Sequence, residues 1–323
     1  MGPKGFHPPL ELFSAFVEIW CGDIAITMFS PVPRRSLLFV PGSKARALEK
    51  AANLPVDAVI LDLEDAVLPE AKETARAAVV QAVASGRYGP REVIVRCNGL
   101  DSPWGAADVE AAARSGAHAV LLPKVESPET LRHAAARLEA AGAPSSQRLM
   151  AMIETPRGVW EARSIAAATE RMEALIVGPN DLEASTGIRQ MADRAPMVPI
   201  LIQLVLAARA EGRSVIDGVH SRLDDDEGFL DACRQGVSLG FDGKTLIHPK
   251  QIEPANAVFG PSREAVAEAR QVLDAWTVAQ AEGKGVTTLE GRMIEALHAE
   301  TARRTVALSE AIEARLDAPF RRR

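Results

Sequence analysis

The sequence predicts an α/β fold, a TIM (β/α)8 barrel with a C-terminal helical lid extension. Two observations carry this. Eight short β-rich runs recur in order with Ala-rich segments of helical period between them, and after the eighth run the strands stop. The runs are nearly continuous in apolar character, as expected where helices cover one strand face and a packed interior the other. Eight such units in roughly 220 residues suit a closed barrel better than an open doubly wound sheet. No G-x-G-x-x-G opens a helix after a strand, and no Walker A sequence is present.

Residues 1–30 stand apart as an N-terminal extension. The stretch FSAFVEIWCGDIAITMF is only moderately apolar, with Glu11, Glu18 and Asp23 flanking or interrupting it. It lacks the basic start, clean apolar run and small-residue cleavage site of a secretion signal. Met28, just ahead of the recognisable pattern, is the expected true start. The barrel is expected over 31–260, with strands at 36–40 (SLLFV), 57–63, 92–97, 118–124, 149–154, 174–178, 214–219 and 241–247. Helical periodicity is clearest at 72–84, 127–142 and 199–212, and Pro or Gly punctuates many ends, as in VPGS, GPND and IHP. Residues 261–323 are expected to form a lid or subunit contact: a helix over 261–283, a flexible connector over 283–291, a long amphipathic helix over 292–316 and a solvated RRR tail.

Composition narrows the class. At 47% hydrophobic and 25% charged, the chain of 323 residues has ample material for a core. A formal charge of −6 argues against a general nucleic-acid footprint. Cys21, Cys97 and Cys233 are scattered, with no CxxC, so neither a zinc site nor a disulfide framework is expected. No apolar run approaches the ~20 residues that span a bilayer. A cytoplasmic enzyme is the default.

Barrel chemistry is assembled where strands end. The fifth and sixth runs end in Glu154 and Asp181, 27 residues apart, close to one strand–helix–strand repeat. Neighbouring parallel strands would bring both carboxylates to one rim. Two hard oxygen ligands that leave other positions to water and substrate suit Mg²⁺. The plainer alternative is that Glu154 caps the next helix and Asp181 merely caps or turns. The other rim residues are Asp62, Glu64 and Asp65 after the second run, Arg96 and Asn98 after the third, and Lys124 and Glu126 after the fourth. Asp217, His220, Lys244 and His248 follow the seventh and eighth. Glu64 and Asp65 are expected to orient Arg96, with direct metal ligation as the alternative. Arg96 is expected to aim a bidentate fork at a carboxylate or oxo acid. His220 and His248 are expected to be structural, and Cys97 inert core.

Taken together, these residues resemble the citrate lyase β-subunit family, with its malyl-CoA and citramalyl-CoA lyases, within the HpcH/HpaI aldolase group. The resemblance runs from about Arg34 to about Leu297. It rests on RRSLLFVPGS, DAVILDLEDAV with KETAR, VRCNG, LLPKVESPE, MIETPRGV, VGPNDL and the block from DGVHSRLDDDEGF to GFDGKTLIHPKQI. It implies Mg²⁺ held by Glu154 and Asp181, with the substrate chelating the same ion, and Arg96 gripping the oxo-acid end. Arg34, Lys44 and Arg46 become candidates for the phosphates of coenzyme A or of an acyl-carrier pantetheine. In the lyases a segment reading roughly L-D-G-K-M-I-D-A-P closes over a neighbouring subunit's site, and its second Asp is the acid/base. LEGRMIEAL places Glu295 there, one methylene longer. The implied activity is reversible Claisen-type cleavage of a short 3-hydroxy carboxyacyl thioester (citryl-, malyl- or citramalyl-type). That reaction needs a Lewis acid rather than a Schiff-base lysine, so Lys124 and Lys244 need no covalent role. A thioesterase on the same substrates is the alternative, as is a subunit serving an acyl-carrier protein inside a complex. A lid acting in trans implies a homo-oligomer, a trimer or hexamer.

Overall fold

The computed structural model describes residues 32–189 and 191–317. The extension with Met28 and the RRR end lie outside the described residues. Eight parallel strands close into a barrel: β1 (Ser36–Pro41), β2 (Ala58–Asp62), β3 (Glu92–Arg96), β4 (Ala119–Leu122), β5 (Arg148–Ile153), β6 (Met172–Val177), β7 (Ser214–Asp217) and β8 (Gly243–Leu246). Each pairs with the next, and β1 closes on β8 with Ser36 opposite Lys244. The expected fold and all eight strands are present.

The helices on the outer layer are α1 (Ala45–Ala51), α2 (Lys72–Ala84), α3 (Gly105–Ser115), α4 (Pro128–Ala140), α5 (Pro156–Trp160), α6 (Ala162–Ala166), α7 (Pro179–Thr186), α8 (Val198–Ala210), α9 (Asp226–Leu239) and α10 (Ile252–Phe259). Alternation along the strands makes two cores. Val59, Leu61, Val93, Val95, Val120 and Leu122 face outward to the helices. Leu37, Ala58, Ile60, Ile94, Leu121, Met150, Met152 and Ile176 fill the lumen. The parity matters for the site. Two residues beyond Ile60, Ile94 and Met152, the lumen stripe ends in Asp62, Arg96 and Glu154, all buried. The period that packs the barrel with hydrocarbon therefore also delivers charge to its C-terminal mouth.

The opposite mouth is closed by Arg34. Its Nε and Nη2 donate to Glu92 at 2.7 and 2.8 Å, and its Nη1 donates to Glu173 at 2.8 Å and Ser214 at 3.1 Å. This corrects the expectation that Arg34 meets thioester phosphates. It precedes β1, so it lies at the strands' N-terminal ends, one barrel length from the rim, with its donors held by buried Glu92 and Ser214 and half-buried Glu173.

The C-terminal extension is α11 (Arg263–Ala281), a hairpin of β9 (Thr287–Leu289) and β10 (Arg292–Ile294), and α12 (Ala296–Asp317). The hairpin replaces the expected flexible connector and shortens the second helix at its start. Glu290 and Gly291 both adopt positive φ, 51° and 79°, as a two-residue turn of mirror-image type requires. An x-Gly pair between TTL and RMI was the available signal. Ala269, Val272, Trp276, Ile294, Ala299 and Ala302 bury a small core of their own. The far end of α12 anchors at the barrel's N-terminal mouth, where Arg315 Nη1 donates to the carbonyls of Pro33 and Asp57 at 3.0 Å.

Candidate active site

Glu154 leaves β5 pointing into the mouth and is only 2% exposed. It is not a helix cap: Thr155 caps α5, its Oγ1 accepting from the Gly158 N–H at 3.1 Å. Glu154 Oε1 instead accepts the Lys124 N–H at 2.7 Å, and Oε2 lies against Gly178. A Cβ on Gly178 would stand 2.4 Å from that oxygen, so the glycine of VGPND lets β6 approach the carboxylate. Burial pushes the Glu154 carboxyl up to about 7; the neighbouring Asp181 and Glu64 add to this against the pull of the Lys124 amide. Asp181 sits in the first turn of α7 with its side chain 38% exposed.

Arg96 is committed differently from expectation. Its fork, Nε and Nη2, holds Asp62 at 2.7 Å on both sides, so the bidentate face grips the protein rather than a ligand. Only Nη1 remains toward the rim, 2.9 Å from Glu64 Oε2 and 3.4 Å from Asp65 Oδ2. The guanidinium also stacks over Phe39, 4.8 Å from the ring centre. Glu64 and Asp65 do adjoin Arg96, as orienting groups would. Burial raises the Glu64 carboxyl, with Arg96 opposing.

The loop carrying Glu64 is held from below by a network that sequence reasoning left without a role. Buried Lys72 donates to the carbonyls of Leu63 and Glu64 at 2.8 and 2.7 Å and to Asn98 Oδ1 at 2.7 Å. Asn98 in turn donates to Asp108, which Arg76 pairs at 2.6 Å. Lys72 and Arg76 are the basic residues of KETAR, and their spacing of four on a helix was the legible sign of a shared face.

The remaining rim residues divide. Lys44 and Arg46 are exposed beside the β1 end of the mouth. Asp217 and Lys244 are buried, with Asp217 holding Lys244 at 2.6 Å and Arg194 at 2.9 Å, and neither lines the cavity at the mouth. His248 caps a short turn, its Nδ1 accepting the Lys250 N–H at 3.2 Å. Cys97 is buried beside Asp108, and burial holds its thiol protonated. Glu295, at the start of α12, does not line the mouth cavity; its amide donates to His298 Nδ1 at 3.2 Å.

The mouth cavity measures about 340 Å³ and is lined by Phe39, Asp62, Asp65, Arg96, Glu154 and Asp181 among others. Five carboxylates surround two side-chain cations, Arg96 and Lys124. Among the described residues no three acidic, His or Cys side chains are arranged to hold a metal by themselves. An ion here would take Glu154 and Asp181 and complete its shell with water or substrate oxygens, as Mg²⁺ does. The donor set fits that metal.

A closed parallel barrel with an acidic pair and an arginine gathered at its C-terminal mouth has the architecture of a barrel enzyme. The chain belongs to the HpcH/HpaI aldolase/citrate lyase family, whose profile matches residues 35–249. It is similar to the (3S)-malyl-CoA thioesterase of Cereibacter sphaeroides, 46% identical over 87% of this chain and 96% of the relative. The citrate lyase subunit beta of Escherichia coli is 36% identical over 86% and 93%. Among solved structures, the protein CitE of Mycobacterium tuberculosis in complex with magnesium, acetoacetate and coenzyme A is 31% identical. It covers 86% of this chain and 99% of that one, with a TM-score of 0.69.

Proposed function

We propose that the protein is a Mg²⁺-dependent enzyme of short 3-hydroxy carboxyacyl-CoA thioesters of the malyl type, and that it hydrolyses the thioester. The observation that carries the metal-dependent reading is the pairing of buried Glu154 with Asp181 across a cavity that Arg96 Nη1 faces. Hydrolysis is favoured over carbon–carbon cleavage by the 46% relatives, which are named thioesterases, and by Glu295 standing where the lyase motif has Asp.

When bound, Mg²⁺ would act as a Lewis acid on the substrate's oxygens and fix its carboxylate end. Arg96, stiffened by Asp62 and Phe39, would present Nη1 to oxygen that gains negative charge. Lys44, at the cap of α1, and Arg46, in its first turn, are exposed and would meet the coenzyme A phosphates. Glu295 would serve as acid/base at the mouth of a second copy, which makes the working unit a homo-oligomer in the cytoplasm.

Mass spectrometry of purified protein with Mg²⁺ and malyl-, citramalyl- or citryl-CoA tests this. Free CoA with the intact hydroxy acid, lost with EDTA and in Asp181→Ala, is the expected result. An acyl-CoA with its matching oxo acid would establish the lyase, the second reading, which the 36% citrate lyase relatives favour. Turnover only with a protein-bound thioester would point to an acyl-carrier partner.

A further inference from the structure

Lys124 is in a conformation that lysine rarely adopts. Its φ is 47°, the left-handed region, which a glycine occupies freely and a side chain strains to reach. In this conformation the Lys124 N–H donates to Glu154 Oε1 at 2.7 Å, a bond that any residue's amide could make. The side chain accounts for the residue type. It folds back over the mouth, its ammonium 3.3 Å from Glu64 Oε1 and 3.5 Å from Asp181 Oδ1.

We propose that the Lys124 ammonium is a counter-ion of the carboxylate rim that competes with Mg²⁺ for Asp181. This rests on the metal-dependent reading above and adds a competitor to it. Three features support displacement rather than permanent pairing. The contacts are long, unlike those of Lys72 and Lys244, whose ammoniums lie 2.6–2.8 Å from their partners. The Lys124 side chain is 48% exposed, so it can move without disturbing the core. Finally, it bridges groups of two different kinds: Asp181, a ligand it would yield, and Glu64, which is also tied to Arg96 and would retain it.

A cation that shares Asp181 with the metal opposes metal binding by direct repulsion. Removing it therefore tightens Mg²⁺ binding, whereas loss of a residue that merely shapes the turn would weaken it. The test is Mg²⁺ titration of the substrate-free full-length protein by isothermal calorimetry, for wild type, Lys124→Gly, Lys124→Met and Lys124→Arg. Lys124→Gly keeps the amide and relaxes the backbone, so it stays folded if Lys124→Met does not. The expected result is a Kd lowered roughly 3- to 10-fold in the Gly and Met variants and near wild type in Lys124→Arg. A Kd unchanged or raised in Lys124→Gly overturns the inference while leaving the metal reading intact. A wild type that binds no Mg²⁺ overturns the metal reading and this inference with it.

Discussion

Each mouth of the barrel holds a buried arginine clasped by a carboxylate, and the two differ in how the surrounding charge is completed. At the N-terminal mouth, Arg34 is gripped by Glu92 on two sides, with Glu173 and Ser214 taking its remaining reach. At the C-terminal mouth, Arg96 holds Asp62 just as closely, yet Glu64, Asp65, Glu154 and Asp181 crowd the same space, with Lys124 and the buried Lys72 as the added cations. The first is a finished network and the second is acidic by a margin. A short ion pair therefore does not mark a functional site; an uncompensated remainder beside a cavity does.

The sharpest way to break this comparison is to remove the acidic margin. Asp181→Ala should lower Mg²⁺-dependent turnover by at least about 10³-fold, since one of two protein ligands to the metal is gone. Its thermal midpoint in EDTA should match or exceed that of wild type, because like-charge crowding is relieved. Steady-state kinetics beside a melting curve would check both halves.

Arg34→Ala reverses the pattern. It leaves Glu92 buried without a partner, and breaking such a pair lowers stability by about 3–5 kcal/mol. The KM for a CoA thioester should stay within about twofold, because Arg34 lies at the far mouth. Denaturant unfolding would measure the first effect, and a large rise in KM would restore the phosphate-binding expectation.

The raised Glu154 carboxyl sharpens the contrast with pH. Its folded value of about 7 exceeds its ordinary 4.5, so below about pH 7 a proton competes with metal for this oxygen pair. Mg²⁺ affinity should then fall by up to about tenfold per pH unit below 7 and level off above it. In EDTA the sign for stability is the opposite: the folded state binds the proton more tightly, so stability declines as pH rises from about 4.5 to 7. Calorimetric titrations across pH 5.5–8.5 would show a flat profile if Glu154 were outside the metal site.

The smallest effect is expected from Lys72→Met beneath the rim. Two carbonyls and Asn98 lose a buried donor, lowering stability by about 1–3 kcal/mol. Because the loop carrying Glu64 loosens, kcat should drop more than KM rises. Equal losses in Lys72→Met and Arg34→Ala kinetics would erase the distinction between the two mouths.

Much of the molecule was legible in the chain. The apolar runs marked the strands, and the residues collected at their ends included Asp62, Arg96 and Glu154, whose place on the lumen stripe the structure then showed. The spacing of Glu154 and Asp181 placed both on one rim because neighbouring parallel strands end at the same level. Less legible were the partners. Nothing local distinguishes Arg34 from Arg96 as a ligand grip; closure of the barrel decides it, by bringing Glu92 of β3 across to Arg34, two residues before β1. Likewise Asp62 is one acidic residue among three in LDLED until its register opposite Arg96 makes it the clasp. The hairpin at 287–294 showed in the sequence only through its x-Gly turn, because three-residue strands carry too little periodicity to read.

By itself the sequence determined the eight strands, their order and the rim position of Glu154, Asp181 and Arg96, since these follow from short-range pattern. Only the tertiary structure decided which charges cancel. Ion pairing depends on ångström distances between residues as far apart in the chain as Arg34 and Glu173 or Lys124 and Glu64, and those distances exist only once the sheet has closed.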